Sequence, residues 1–253
     1  MAGEKLLKGL EKFQIKSDSE NKIFEKLDKY IQEIILFNSA YNLTNTSDYD
    51  EISINHILDS ISAAEQIKNL AKSLSKNEIK IADIGSGGGL PGIPLAIVLP
   101  EFQFFLVERM DKRCAFLENE KAILSLNNVT VIKSEAEKIA SESFDITTFR
   151  AFRPLDSHFA DTLLKITKPG GFLAAFKAKK SSIESEMSAI KTIIREYKIF
   201  PLEVPFLTDS TEKKECRERN LVVVKKKNHK FPDFPYFRQK LIDKSGENRL
   251  ISM

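Results

Sequence analysis

The sequence predicts an α/β fold with a mostly parallel sheet, and three observations carry that prediction. From Glu78 onward, short apolar or β-branched runs alternate with stretches of helical spacing, as in a parallel sheet covered on both faces. Before Glu78 the texture is helical, with no strand signal. A glycine-rich turn, "DIGSGGGLPGIP" (Asp83 to Pro94), follows the first apolar run. In a doubly wound sheet, that is where a ligand sits.

Residues 4–13 read as a short amphipathic helix. Residues 20–37, "ENKIFEKLDKYIQEIILF", place Ile23, Phe24, Leu27, Tyr30, Ile31, Ile34 and Ile35 on one helical face. "NSAYNLTN" breaks that pattern, and a second helical stretch is expected from about Ser53 to Leu74. The first five strands are "IKIADI", "FQFFLVE", "NVTVIK", "FDITTFR" and "GGFLAAFK", with helices near 92–99, 111–126, 135–140, 155–167 and 182–197. "YKIFPLEVPFL" and "RNLVVVKKK" are joined by a polar loop and read as a terminal antiparallel hairpin, which brings the sheet to seven strands. The expected organisation is a helical cap over 1–75 packed on the same domain, a sheet domain over 76–230 and a loosely held polar tail over 231–253.

The composition, 42% hydrophobic and 30% charged over 253 residues, suits a globular chain with a core large enough to need no disulfide or metal. Cys114 and Cys216 sit in unrelated contexts, which fits a reducing, cytoplasmic compartment. The opening "MAGEKLLKGLEKF" lacks the apolar core of a signal peptide. No apolar run reaches membrane-spanning length, because Pro91 and Pro94 interrupt Leu90 to Leu99. The net charge is only +3, but between Glu212 and Lys230 eight Lys or Arg face three Glu. Such a stretch can neutralise phosphates, or simply solvate an edge strand.

The glycine loop excludes two ligands. The dinucleotide pattern fails in register, since Leu90 stands where its third glycine belongs, and no Gly-Lys-Ser/Thr closes a triphosphate loop. What remains is Asp83 followed by Gly85, Gly87 and Gly89 at alternate positions. The carboxylate can accept from loop amides or from a cationic ligand head, and the glycines admit close approach. Glu108, ending the second strand, can take both hydroxyls of a ribose, while Ala136 and Glu137 after the third strand can flank an adenine. Two acids around a glycine loop suit S-adenosylmethionine, which carries a ribose but no pyrophosphate.

The strings "AYNLT", "HILDS", "DIGSGGGLPGIPLAI", "FDITTFRAF", "KPGGFLAAFK" and "ERNLVVVKK" resemble, in this order over roughly residues 20–228, the glucose-inhibited division protein B (RsmG) family. The resemblance implies a Rossmann-like S-adenosylmethionine-dependent methyltransferase fold with a helical cap. It also implies methylation of guanine N7 in the 530 loop of 16S ribosomal RNA, by a monomer acting on the RNA or the 30S subunit. It implies cofactor contacts at Gly85, Leu90, Ala136, Glu137 and Arg150, with Asp83, Gly87 and Glu108 around them. Glu108 departs from the Asp carried by many members, and the 231–253 tail follows no family ending.

Guanine N7 offers a lone pair and no proton, so the chemistry needs in-line placement rather than a general base. His56, His158 and His229 share no metal-ligand spacing, and no metal is expected. His56 is expected to pack or hydrogen-bond within a helix. Cations should ring an anionic substrate, and Arg150, Lys177 and Arg219 are the candidates, each weighed against a plain surface ion pair. Asn42 is expected to cap a helix or close over the cofactor, and Phe149 and Phe152 to belong to the core or stack on a base. Two other readings stay open: a methyltransferase acting on another RNA, a protein or a small molecule, and an RNA-binding protein that retains the loop.

Overall fold

The computed structural model describes residues 3–20, 22–150, 154–208 and 217–227. Phe152, Cys216, His229, much of the lysine-rich stretch and the 231–253 tail lie outside the described residues. The helical third comprises α1 (Glu4–Lys12), α2 (Ile23–Tyr41), α3 (Tyr49–Ile52), a π-helical segment (Ser53–Leu58), α4 (Asp59–Ile61) and α5 (Ala64–Ser73). The apolar stripe of α2 is buried at Leu27, Tyr30, Ile31 and Ile34. Asn42 ends this helix in a left-handed conformation (φ 48°), its N–H bonded to Asn38 O. The expected helix from Ser53 to Leu74 is interrupted at Ser62, whose hydroxyl donates to Asp59 O at 2.7 Å.

The alternating part follows: β1 (Lys80–Ile84), α6 (Gly92–Val98), β2 (Gln103–Glu108), α7 (Asp111–Ile123), β3 (Val129–Lys133), β4 (Phe144–Arg150), α8 (Ser157–Ile166), β5 (Thr167–Lys177), α9 (Lys180–Ala189), β6 (Lys198–Pro201) and β7 (Asn220–Lys225). The seven strands run in the order β3-β2-β1-β4-β5-β7-β6. The first five pair in parallel, and β7 lies antiparallel between β5 and β6. The terminal hairpin therefore enters the sheet by its second strand. The helix expected near 135–140 is a single 3₁₀ turn, Ala136–Lys138. Helix α9 stops at Ala189, short of the expected 197, although Ile190 and Ile194 remain buried. The apolar spacing thus outlasts the helical hydrogen bonding, with Ile194 N–H closing a turn onto Ile190 O.

Alternation along β1 divides the core in two. Ile81 packs with the helical third, α6 and α7, while Ala82 and Ile84 pack with α8 and α9. At the amino end of β4, the buried Asp145 accepts from Lys76 Nζ at 2.5 Å, from Lys168 Nζ at 3.0 Å and from Lys80 N–H at 3.0 Å. Burial opposes its ionisation, yet these bonds hold its carboxyl below the usual range. That clamp fixes one end of the sheet and leaves the carboxyl ends of the strands to the site. Among the described residues, no helix is long and apolar enough to cross a membrane.

Candidate functional site

Strand β1 ends beneath the glycine loop. Asp83 is fully buried, opposite Leu106 of β2 and Thr148 of β4 in register. Its Oδ2 accepts from Gly92 N–H at 3.0 Å, at the start of α6. Its Oδ1 and the hydroxyl of Thr148 have no hydrogen-bond partner among the described residues. Burial pushes the Asp83 pKa up to about 7, against the opposing pull of the Gly92 amide, Ser86 and the Arg150 charge. Gly92 admits this contact because it has no side chain: a Cβ there would meet Leu106 Cδ2 at 2.3 Å.

The loop turns on alternate left-handed residues, Gly85, Gly87 and Gly89 (φ 71°, 57° and 89°). Above Gly87 a Cβ would find nothing nearer than Arg113 Nη1 at 3.8 Å, so this backbone is open to close approach. Glu108 closes the far side. Its Oε2 accepts from Gly87 N–H at 3.0 Å, and its Oε1 from the N–H groups of Arg109 and Met110 at 2.8 and 2.9 Å. Leu90 buries its side chain in the core on the cap side. From α2, the buried Tyr30 hydroxyl donates to Gly88 O, tying the helical third to the loop. Ala136 and Glu137 lie on the 3₁₀ turn beyond β3, where Glu137 Oε1 comes within 3.8 Å of His158 Nε2. A carboxylate at each strand end, an open glycine backbone and an unpartnered buried oxygen fit the adenosine and amino-acid parts of S-adenosylmethionine. Asp83, Gly85, Gly87 and Glu108 form one cluster.

The cations form a second. A cleft of about 820 Å³ is lined by Asn55, His56, Asp59, Arg150, Lys177 and Arg219, among others. Asp59, 5% exposed, accepts from Arg150 Nη1 at 2.9 Å and from Arg219 Nε at 3.1 Å. Arg150 also donates to Asn55 O at 3.1 Å and lies 3.1 Å from His56 Nδ1 through its Nη2. Because Arg150 carries only donors, Nδ1 is the acceptor and the imidazole proton sits on Nε2. Burial first, then the Arg150 and Arg219 charges, lower the His56 pKa to about 4, so the ring is neutral at pH 7. Lys177 pairs with Glu186 at 2.6 Å and stands 5.2 Å from the Phe149 ring centre. Phe149 itself is core, packed edge-on against Phe159 at 5.0 Å.

The π-helical segment delivers the helical side of this cleft. In it, Asp59 N–H reaches back to Ile54 O, a wider turn than an α-helix makes. Tyr30 and Asp59 carry no motif of their own. Tyr30 reads as one more core residue in an apolar stripe, and Asp59 as part of "HILDS" without a role.

A family model described as rRNA small subunit methyltransferase G matches residues 23–221. The Ribosomal RNA small subunit methyltransferase G of Treponema denticola is 40% identical over 245 residues, spanning 87% of this chain and 93% of its own. That of Actinobacillus pleuropneumoniae serotype 5b is 36% identical over 225 residues, spanning 89% and 99%. Among solved structures, a proposed S-adenosyl-L-methionine-dependent methyltransferase from Methanococcus maripaludis aligns with a TM-score of 0.53 at 13% identity, over 81% of this chain and 95% of that one. A tRNA methyltransferase from Aquifex aeolicus aligns with a TM-score of 0.52 at 16% identity, over 78% and 75%. Their likeness is one of fold, the Rossmann-like methyltransferase sheet expected from the sequence. By the family match and by relatives aligned over nearly their whole length, this chain belongs to the rRNA small subunit methyltransferase G family.

Proposed function

We propose that the protein methylates N7 of a guanosine in the 530 loop of 16S ribosomal RNA, acting as a cytoplasmic monomer on the 30S subunit. The observation that carries this reading is a cleft beside the glycine loop lined by Arg150, Lys177, Arg217 and Arg219, in which Arg150 and Arg219 already engage the carboxylate of Asp59 and Lys177 that of Glu186. Arg150 joins the two regions, since its charge bears on Asp83 while its guanidinium lies in the cleft. His56 is neutral, but its free lone pair is already engaged by Arg150. Asp59 is held by two guanidinium groups. Such a site suits an acceptor atom that arrives with a lone pair and no proton to lose.

Bound S-adenosylmethionine supplies an electrophilic methyl on a sulfonium. The chain's residues do the rest by position. Glu108 and the open backbone at Gly87 hold the ribose side, Ala136 and Glu137 flank the base, and Asp83 anchors the loop from beneath. Gly85, Leu90 and Arg150 complete the contacts on that side. Arg150, Lys177 and Arg219 place positive charge where an RNA strand must come close. Incubation with labelled cofactor and 30S subunits lacking the modification, followed by mass spectrometry of the RNA, tests the assignment. The label should reside on one guanine N7 of 16S RNA. Normal cofactor binding with no transfer to RNA would refute it, and transfer to another RNA or to protein would replace it.

A further inference from the structure

The two substrate-side arginines meet at one carboxylate, and that carboxylate holds them in different ways. The arginines reach Asp59 from the end of β4 and from the residue just before β7, positions 91 and 160 residues away in sequence. A buried carboxylate between two guanidinium groups is compensated in charge, and it fixes the direction of each. Arg150 uses both Nη1 hydrogens, one on Asp59 and one on Asn55 O, and an Nη2 hydrogen on His56. Arg219 uses Nε on Asp59 and one Nη1 hydrogen on Glu218 O at 2.9 Å. Among the described residues, Arg219 keeps three N–H groups, all on its two terminal nitrogens, the geometry that grips two oxygens of one anion, whereas Arg150 keeps two and is less exposed, 12% against 21%.

The chemistry of the acceptor says which anion. An arginine bidentate to guanine O6 and N7 is a common way to read guanine, but it places a hydrogen on the N7 lone pair. That lone pair is the one methylation needs. The fork of Arg219 must therefore rest on something other than the reacting base edge, and a backbone phosphate offers two acceptor oxygens with no part in the reaction.

We propose that Asp59 is a positioning residue that gives the two arginines different tasks. Arg150 becomes a strut, tied to the π-helical segment, and Arg219 becomes the contact to an RNA phosphate. This rests on the RNA-methyltransferase reading and adds which cation touches the RNA.

The test uses the full-length protein with unmodified 30S subunits. Binding is measured across a salt series, methyl transfer is split into kcat and KM, and cofactor affinity and thermal stability are followed as controls. Arg219→Ala should weaken subunit binding about tenfold and flatten the dependence of log K on log salt by a little under one unit, as for one lost phosphate contact. KM should rise with kcat near wild type, because a phosphate contact is shared by ground and transition states. Asp59→Asn should weaken binding in the same sense, since its amide turns a donor towards one arginine. The Asp59→Asn/Arg219→Ala double variant should bind no worse than Arg219→Ala alone. Arg219→Lys, which keeps the charge without the fork, should recover the salt slope but only part of the affinity. An unchanged salt slope in Arg219→Ala overturns the proposal, and so do losses that multiply in the double variant. If Asp59→Asn does not fold, Arg150→Lys takes its place: a strut should leave the salt slope at its wild-type value, and a slope as flat as in Arg219→Ala overturns the proposal. Should the wild-type protein bind subunits but not methylate 16S RNA, the activity reading falls, while the salt series still reports on Arg219.

Discussion

Asp83→Asn should flatten the pH dependence of stability between about pH 5 and 8. Asp83 has a pKa raised from 3.8 to about 7, chiefly by burial. An acid whose pKa rises on folding holds its proton more tightly in the folded state. Its stabilising contribution is therefore complete below the unfolded pKa and is lost as pH climbs through the folded one. At 1.36 kcal/mol per pKa unit, the loss accumulated from pH 5 to pH 8 is about 2–3 kcal/mol. Asparagine keeps an oxygen for the Gly92 amide and cannot ionise. Denaturant unfolding of both proteins without cofactor, at pH 5 and pH 8, isolates the effect, because other titrating groups cancel in the difference. The stability of the variant relative to wild type should rise by about 2–3 kcal/mol over that interval. A change smaller than about 0.5 kcal/mol would refute the account of Asp83 as an acid strained by burial. The variant should also bind cofactor more weakly, having lost the carboxylate beneath the loop.

Three other substitutions separate the parts of the fold. Gly92→Ala forces a methyl against Leu106 and Asp83 and should cost about 1–3 kcal/mol in thermal or denaturant unfolding; an unchanged midpoint would contradict the close approach. Tyr30→Phe removes the hydroxyl bound to Gly88 O, and should cost about 1–2 kcal/mol and weaken cofactor binding by calorimetry, because the loop loses its tie to the helical third. Asp145→Ala should cost about 3 kcal/mol at pH 7 and much less in strong acid. A carboxylate with a lowered pKa stabilises above its unfolded pKa, and that contribution disappears as pH falls through the folded value. Methyl transfer per folded molecule should be unaffected by Asp145→Ala, since Asp145 sits at the far end of β4 from Arg150.

The cluster proposed to hold the methyl donor is largely legible in the sequence because its residues are local. Asp83, Gly85, Gly87 and Gly89 lie within one strand-to-helix turn, and Glu108 ends the next strand. Strand order and twist then bring them together as a doubly wound sheet requires. The substrate side is not legible in that way. Lys177, Arg150 and Arg219 stand out as strand-end cations, but Asp59, the partner the two arginines share, lies far from both in the chain, and no spacing rule reports such a pair. The bond from Tyr30 to Gly88 spans 58 residues and hides in an ordinary helical stripe. The division at Ser62 is invisible for a related reason: apolar periodicity continues across it, while the helical hydrogen bonding breaks between Ile61 and Ala64. Periodicity likewise carries α9 past Ala189, because burial and backbone hydrogen bonding stop at different residues. The two C-terminal runs are readable as strands, yet only the pairing of β7 with β5 places Arg219 beside the cleft.

The π-helical segment gives this chain a sensitivity to length. An α-helix turns about 100° per residue, so removing one residue between Ser53 and Leu58 would let the helix close regularly and rotate its earlier side chains by that angle relative to the later ones. Asn55 or His56 would then leave Arg150 while Asp59 stayed with both arginines, or the reverse, according to which end moved. Every residue type in the cleft would survive and the site would still come apart. A relative that carries all of these residues but counts one fewer between its equivalents of Ser53 and Asp59 would share the composition of this cleft without its geometry.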